Sequence, residues 1–236
     1  MLHLRILTTV TCSLLLAIPA RAGEKRPTGT ADGNHYHDAA YGFTLLKYDN
    51  WKFGKIDQED PAKMRLLRAI VTLKSVNYPT AYTGNEDKFN IPFIGVFVDT
   101  SEMVLDAYVA ELTDRKSKRQ SRKDVMKDYP ILLKGSLETQ ESAVIDAQKA
   151  IVLHLRENYE VQLYNRLKDQ YKLKEDAILG DLYITKRGNT VYLLGLACER
   201  EIFRTVNEEA KKIIMSVDLD PPADSAKGAG SAAPGQ

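Results

Sequence analysis

His35, His37, His154 and Cys198 are the residues of this chain with the most capacity for chemistry. His35 and His37 lie two apart beside Asp38, and on an extended segment that spacing sets both rings on one face. A closed or catalytic zinc site needs further ligands than these. A solvated segment entering a strand is the expected state. His154 sits inside Ile151-Val152-Leu153-His154-Leu155, where a hydrogen-bonded sheet histidine is the default. A Cys198–His154 nucleophile pair needs neighbouring strands and a third, orienting group, and the spacing names neither. Cys198 ends an apolar run, so a small buried hydrophobe is the expectation for it. Asn85-Glu86-Asp87 lacks the ligand alternation of a calcium loop. Phosphate-cradling glycine loops, dinucleotide fingerprints and serine elbows do not occur in the sequence. No catalytic residue, metal or cofactor is expected.

Binding has two candidate surfaces. The connection from Asn77 to Asn90 is longer than a typical hairpin loop and carries Tyr78, Tyr82 and Phe89. A mobile excursion whose aromatics fold back on the domain is the plainer alternative. Beyond Leu112 comes a basic segment with Arg115, Lys116, Lys118, Arg119, Arg122, Lys123 and Lys127, diluted by Asp114, Asp124 and Asp128. Such a segment can hold an anionic polymer, although a solvated helix extension or loop is its commoner meaning. It has no interleaved aromatics to stack on bases, so nucleic acid is not an expected partner. The expected function is non-catalytic binding of a protein or other envelope component, with Tyr78, Tyr82, Phe89, Arg115, Lys118, Arg119 and Arg122 as contact residues. Competing readings are a metal-dependent or hydrolase-like exported enzyme using His35, His37 or His154, and anionic-polymer binding through residues 115–127.

The envelope enters through residues 1–22. Arg5 gives a basic start, Ile6 to Ile18 an apolar centre, and Ala20-Arg21-Ala22 a small-residue cleavage site, the pattern of a secretory signal. The apolar part is too short to span a bilayer comfortably, so no transmembrane segment is expected after cleavage and the mature chain is expected to be secreted or periplasmic. Removing Arg5 and Arg21 takes the formal charge from +1 to −1, which leaves no global pull toward nucleic acid or acidic membranes. Cleavage also removes Cys12, so no intramolecular disulfide can form and a hydrophobic core must carry the stability.

The elements that must position these residues follow from periodicity. Residues 23–35 read as a flexible leader, 36–220 as a single domain and 221–236 as a disordered tail. Tyr41 to Leu46 and Trp51 to Ile56 read as strands, with Trp51 in the core. Ala69 to Val76 and Ile91 to Val98 read as a hairpin. Val104, Leu105, Tyr108, Val109 and Leu112 give a helix capped by Thr100 or Ser101. Ile131 to Leu137, Ala143 to Ile145 and Ala150 to Leu155 look extended, and Gln162 to Tyr171 a short helix. Asp181 to Val217 reads as strand, Gly188-Asn189 turn, strand and amphipathic helix, with Phe203, Val206, Ala210, Ile213, Ile214 and Val217 on one face. The sum is α+β: a mostly antiparallel sheet flanked by helices.

Some of these pieces, in this order, resemble the PsbP-like superfamily, which includes the extrinsic photosystem II protein and many exported bacterial domains. They are Tyr41-Gly42-Phe43-Thr44-Leu45 followed by Asn50-Trp51, then Thr190-Val191-Tyr192-Leu193-Leu194 and a Phe-bearing helix finishing near Ile213-Ile214-Met215-Ser216-Val217. The resemblance implies an α/β/α sandwich around an antiparallel sheet and no shared active site. The proline that members usually place before the first tryptophan turn is replaced here by Tyr48-Asp49.

Overall fold

A computed structural model of the protein describes residues 29–54, 56, 65–74, 78–79, 90–129, 135–158, 164–165, 168–169 and 176–220. Its centre is a seven-stranded sheet. In chain order the strands are β4 (Trp51–Phe53), β5 (Leu67–Leu73), β8 (Phe93–Thr100), β9 (Ser136–Ile145), β10 (Gln148–Asn158), β11 (Ala177–Arg187) and β12 (Thr190–Glu199). In space the order is β4-β5-β8-β12-β11-β10-β9, and every neighbouring pair is antiparallel. A smaller sheet runs β1 (Thr30–Asp32), β2 (His35–Asp38), β3 (Phe43–Leu46) and β13 (Asp218–Leu219), and a two-stranded ribbon joins β6 (Tyr78–Pro79) to β7 (Asn90–Ile91).

Alternation along the central strands sends apolar side chains to both faces, so both need cover. Helices α1 (Leu105–Thr113) and α2 (Gln120–Asp128) cover one. Leu105, Tyr108, Val109, Leu112, Val125 and Met126 pack there with Phe97, Leu153, Leu182 and Leu193. Helix α3 (Arg200–Met215) covers the other with Val206, Ala210, Ile213 and Ile214, and the small sheet joins it through Phe43 and Leu45. The molecule is therefore α+β with helices on both faces of an antiparallel sheet, as its sequence leads one to expect.

The segment around α3 matches the periodicity in detail. Gly188 takes φ 58 in the two-residue turn, β11 and β12 pair from Arg187↔Thr190 to Ile178↔Glu199, and α3 follows. The Glu199 side chain caps it, accepting from the backbone N–H of Glu201 and Ile202.

Other expectations are corrected. Thr30–Asp32, inside the stretch read as a flexible leader, is a strand paired with β2. Strands β3 and β4 belong to different sheets despite the short turn between them. Neither Thr100 nor Ser101 caps α1, whose first flanking residue is Val104, 69% exposed. The Ser101 hydroxyl accepts instead from the Met103 N–H. The basic segment is not a solvated extension: α2 packs on the sheet through Val125 and Met126, with Tyr129 following. Tyr129 fits because residue 195 is a glycine: a Cβ at Gly195 would lie 2.6 Å from the Tyr129 ring. A bulge lies between His154 and Leu155, facing Leu137 and Thr139, and the chain bends at Gly135 just before β9. Residues 131–134, and most of the expected helix over 162–171, fall outside the described residues, although Tyr164, Asn165, Lys168 and Asp169 are helical.

Candidate functional site

Strand pairing assembles a group of ionisable side chains on the α3 side of the sheet, near β9, the strand that ends it among the described residues. On β10, Ala150 and Val152 face α3, and alternation sends His154 the same way. The ladder sets His154 opposite Asp181 on β11 and opposite Thr139 on β9, two residues from Glu141. His154 Nδ1 lies 2.7 Å from Asp181 Oδ1, and Nε2 lies 3.5 Å from Glu141 Oε1. The three side chains grade from inside to outside at 8%, 28% and 56% exposure for Asp181, His154 and Glu141. Burial pushes the Asp181 carboxyl above the usual carboxylate range, the hydrogen bond and charge of His154 pull it back, Glu141 raises it, and Lys211 of α3 lowers it. Tyr183, one strand position further on the same face, is raised by burial and then by Asp181, Glu141 and Glu208.

This geometry places an imidazole between two carboxylates. It does not activate a nucleophile. Cys198 sits two strands away on β12, opposite Leu179, with β11 between it and His154. It is fully buried in the α3-side core, and burial followed by the charge of Glu199 pushes its thiol well up, against the thiolate a nucleophile needs. The structure does not bring the conceivable pair together.

His35 and His37 share an exposed face of β2, and Asp38 points the other way into the protein. The Asp38 Oδ1 accepts from the N–H groups of Ala40 and Tyr41, fixing the turn into β3. His37 Nδ1 meets the Thr44 hydroxyl at 3.1 Å. Among the described residues no group of three or more histidine, cysteine, aspartate or glutamate side chains is arranged to hold a metal ion.

The basic candidates are largely engaged within the fold. Arg122 is buried, and its Nε–H donates to the Leu112 carbonyl at 3.0 Å, tying α2 to the end of α1. Arg119 pairs with Glu111 at 3.5 Å and reaches Met103 Sδ, and Arg115 donates to the Gly135 carbonyl. Arg65 from outside the segment pairs with Asp124. Lys116, Lys118 and Lys123 are exposed. In the long loop, Tyr78 lies in β6 with its backbone opposite Ile91, whereas Tyr82 and Phe89 lie outside the described residues.

One surface had no place in the sequence reading. Strand β9 is ten residues long and last in the sheet. It pairs with β10 along its length, yet from Ser136 to Val144 its side chains are exposed or half-buried, with Leu137 at 44% and Val144 at 59%. The signal that can find it is weak, because Ser136-Leu137-Glu138-Thr139-Gln140-Glu141-Ser142 carries no apolar alternation. The turn behind it, Asp146-Ala147, takes φ of 45 and 57 without a glycine or asparagine to announce it.

No protein-family model and no curated protein sequence matches the chain. Among solved structures it is similar to cyanobacterial PsbP from Synechocystis sp. PCC 6803, with 11% identity over 86% of this chain and 98% of that one and a TM-score of 0.46. It is also similar to LpqN of Mycobacterium tuberculosis, a protein involved in cell envelope biogenesis, with 11% identity over 78% and 87% of the two chains and a TM-score of 0.44. A Pseudomonas aeruginosa protein of unknown function, PA94, aligns at 11% identity and TM-score 0.39, over 83% of this chain and 99% of that one.

Proposed function

We propose that this chain is an exported, non-catalytic domain that binds a protein of the cell envelope, and that the partner adds to the open edge formed by β9. The observation that carries the reading is β9 itself: ten residues of strand, at the end of the sheet among the described residues, with side chains on both faces largely exposed from Ser136 to Val144. An extended peptide can pair with such an edge through main-chain hydrogen bonds and take specificity from alternate side chains. Leu137 and Val144 give it two exposed apolar points, and Glu138 and Glu141 give it a negative character. A partner strand carrying lysine or arginine suits that character better than a second copy of β9, which would bring like charges together. The export reading rests on residues 1–22, and the loop of Tyr78, Tyr82 and Phe89 is a second contact in the same proposal.

The test uses the full-length gene expressed in a cell with an envelope. N-terminal sequencing of the accumulated protein is expected to begin at Gly23; a product that retains residues 1–22 removes the export reading. A photo-crosslinking residue at Ser142, compared with one at Lys212 on α3, is expected to capture an envelope protein from the β9 position alone. Capture from Lys212 but not from Ser142 would overturn the edge as the contact. Tyr82→Ala and Phe89→Ala are expected to weaken the same capture without changing the fold, and unchanged capture would remove the loop from the proposal.

A further inference from the structure

Strand β9 is held to the domain by its ladder to β10, and that ladder is interrupted by the bulge near Thr139. On the α3 side Ile145 and Ala143 anchor its end in the core, and along the rest of the strand a polar tie runs from Glu141 through His154 to Asp181. A neutral imidazole carries one N–H, and only the imidazolium carries two. With Nδ1 at 2.7 Å from the Asp181 carboxylate, a single proton belongs on Nδ1, and the Nε2 lone pair then faces the Glu141 carboxylate at 3.5 Å. Adding a proton turns that contact from repulsive to attractive. We propose that His154 is a pH-sensitive clasp for the edge strand: as the imidazolium it joins β11, β10 and β9 through Asp181 and Glu141, and as the neutral ring it releases Glu141 and lets β9 open more often.

The charged and titratable groups around the ring are Asp181 and Tyr183 on β11, Glu141 on β9, Glu208 and Lys211 on α3, and Arg156 two residues along β10. Histidine is the side-chain type among these that changes charge near neutral pH. Asp181 is the carboxylate whose ionisation burial resists, so the protons of the ring must be read directly as well. The clasp is a property of the domain alone and goes beyond the binding reading, because it holds whatever docks at β9.

Hydrogen exchange of the mature chain, measured on peptides covering 136–145 and corrected for the intrinsic pH dependence of exchange, tests it. Opening of β9 is expected to be about two- to five-fold more frequent near pH 8 than near pH 5.5, the size of one partly exposed ion pair. Peptides from β8 and β12 are expected to show no such change. Glu141→Gln, at an exposed position that leaves the fold intact, and His154→Gln are each expected to abolish the difference. Equal protection of β9 at both pH values in the unaltered chain would overturn the proposal, as would a difference that survives in Glu141→Gln. Nitrogen-15 spectra of the His154 ring give an independent reading: protons on both nitrogens at the lower pH support the clasp, and a single proton throughout contradicts it.

Discussion

Trp51 shows what one residue can declare and what it leaves to its surroundings. A lone tryptophan after a turn was expected in the core, and it is fully buried there. A buried indole N–H needs an acceptor, and nothing near Trp51 in sequence identifies one. Glu209 of α3 supplies it, accepting from Trp51 Nε1 at 3.0 Å and from Asn50 Nδ2 at 2.5 Å. Replacing Glu209 by alanine leaves both donors without that acceptor and is expected to cost about 1–3 kcal/mol. Denaturant unfolding followed by Trp51 fluorescence measures the loss, and an unchanged midpoint would contradict the role given to Glu209. Cys198 and His154 were legible in the same limited way. Their neighbours in sequence gave their burial or sheet setting, but Asp181 and Glu141, the partners that decide what His154 does, arrive through strand register.

At the scale of elements, periodicity reported helix α3 well and helix α2 poorly. In α3 the apolar face is wide, capped by Glu199 and backed by a hairpin whose glycine turn is explicit. In α2 the inward face reads Arg122, Val125, Met126 and Tyr129, and an arginine in that stripe, among many other charges, conceals it. The stem of an arginine covers apolar surface while its head finds a carbonyl, and here the carbonyl is that of Leu112. Arg122→Ala is therefore expected to destabilise the domain by about 1–3 kcal/mol, whereas Lys118→Ala at an exposed position is expected to stay within about 0.5 kcal/mol of the unaltered chain. Thermal unfolding of the two variants side by side checks this. Equal effects would return the basic segment to the status of a uniform surface patch. Strand β9 was legible only at its ends, Leu137 and Ala143 to Ile145, for the opposite reason: a strand with little burial on either face between them has no hydrophobic period to read.

For the whole molecule, two layers of cover on one sheet bury several tyrosines, and burial raises the pKa of each of Tyr36, Tyr108, Tyr129, Tyr183 and Tyr192 above the ordinary phenol value. Tyr36 is pushed up to about 12, by burial first and then by Asp38. The linkage has a definite sign. A group whose folded pKa lies above its unfolded value contributes stability that is fully present below the unfolded pKa and is lost as pH rises toward the folded one. The domain is therefore expected to lose stability from about pH 10 upward and to unfold cooperatively, with its buried tyrosines ionising as it does so. Ultraviolet titration and circular dichroism should show coincident transitions. Tyrosinate absorbance for all of these residues appearing well before the loss of structure would contradict that packing. By itself the sequence determined the α+β class, the strand–turn–strand–helix close, the faces of α1 and α3 and the burial of Trp51 and Cys198, because period, turn chemistry and capping act over a few residues. Tertiary structure alone decided the neighbours: which strand ends the sheet, that β3 and β4 part into different sheets, that Arg122 turns inward, and that His154 stands between Asp181 and Glu141. Those facts depend on pairing between segments far apart in the chain, and local patterns carry no information about which distant segment a strand will meet.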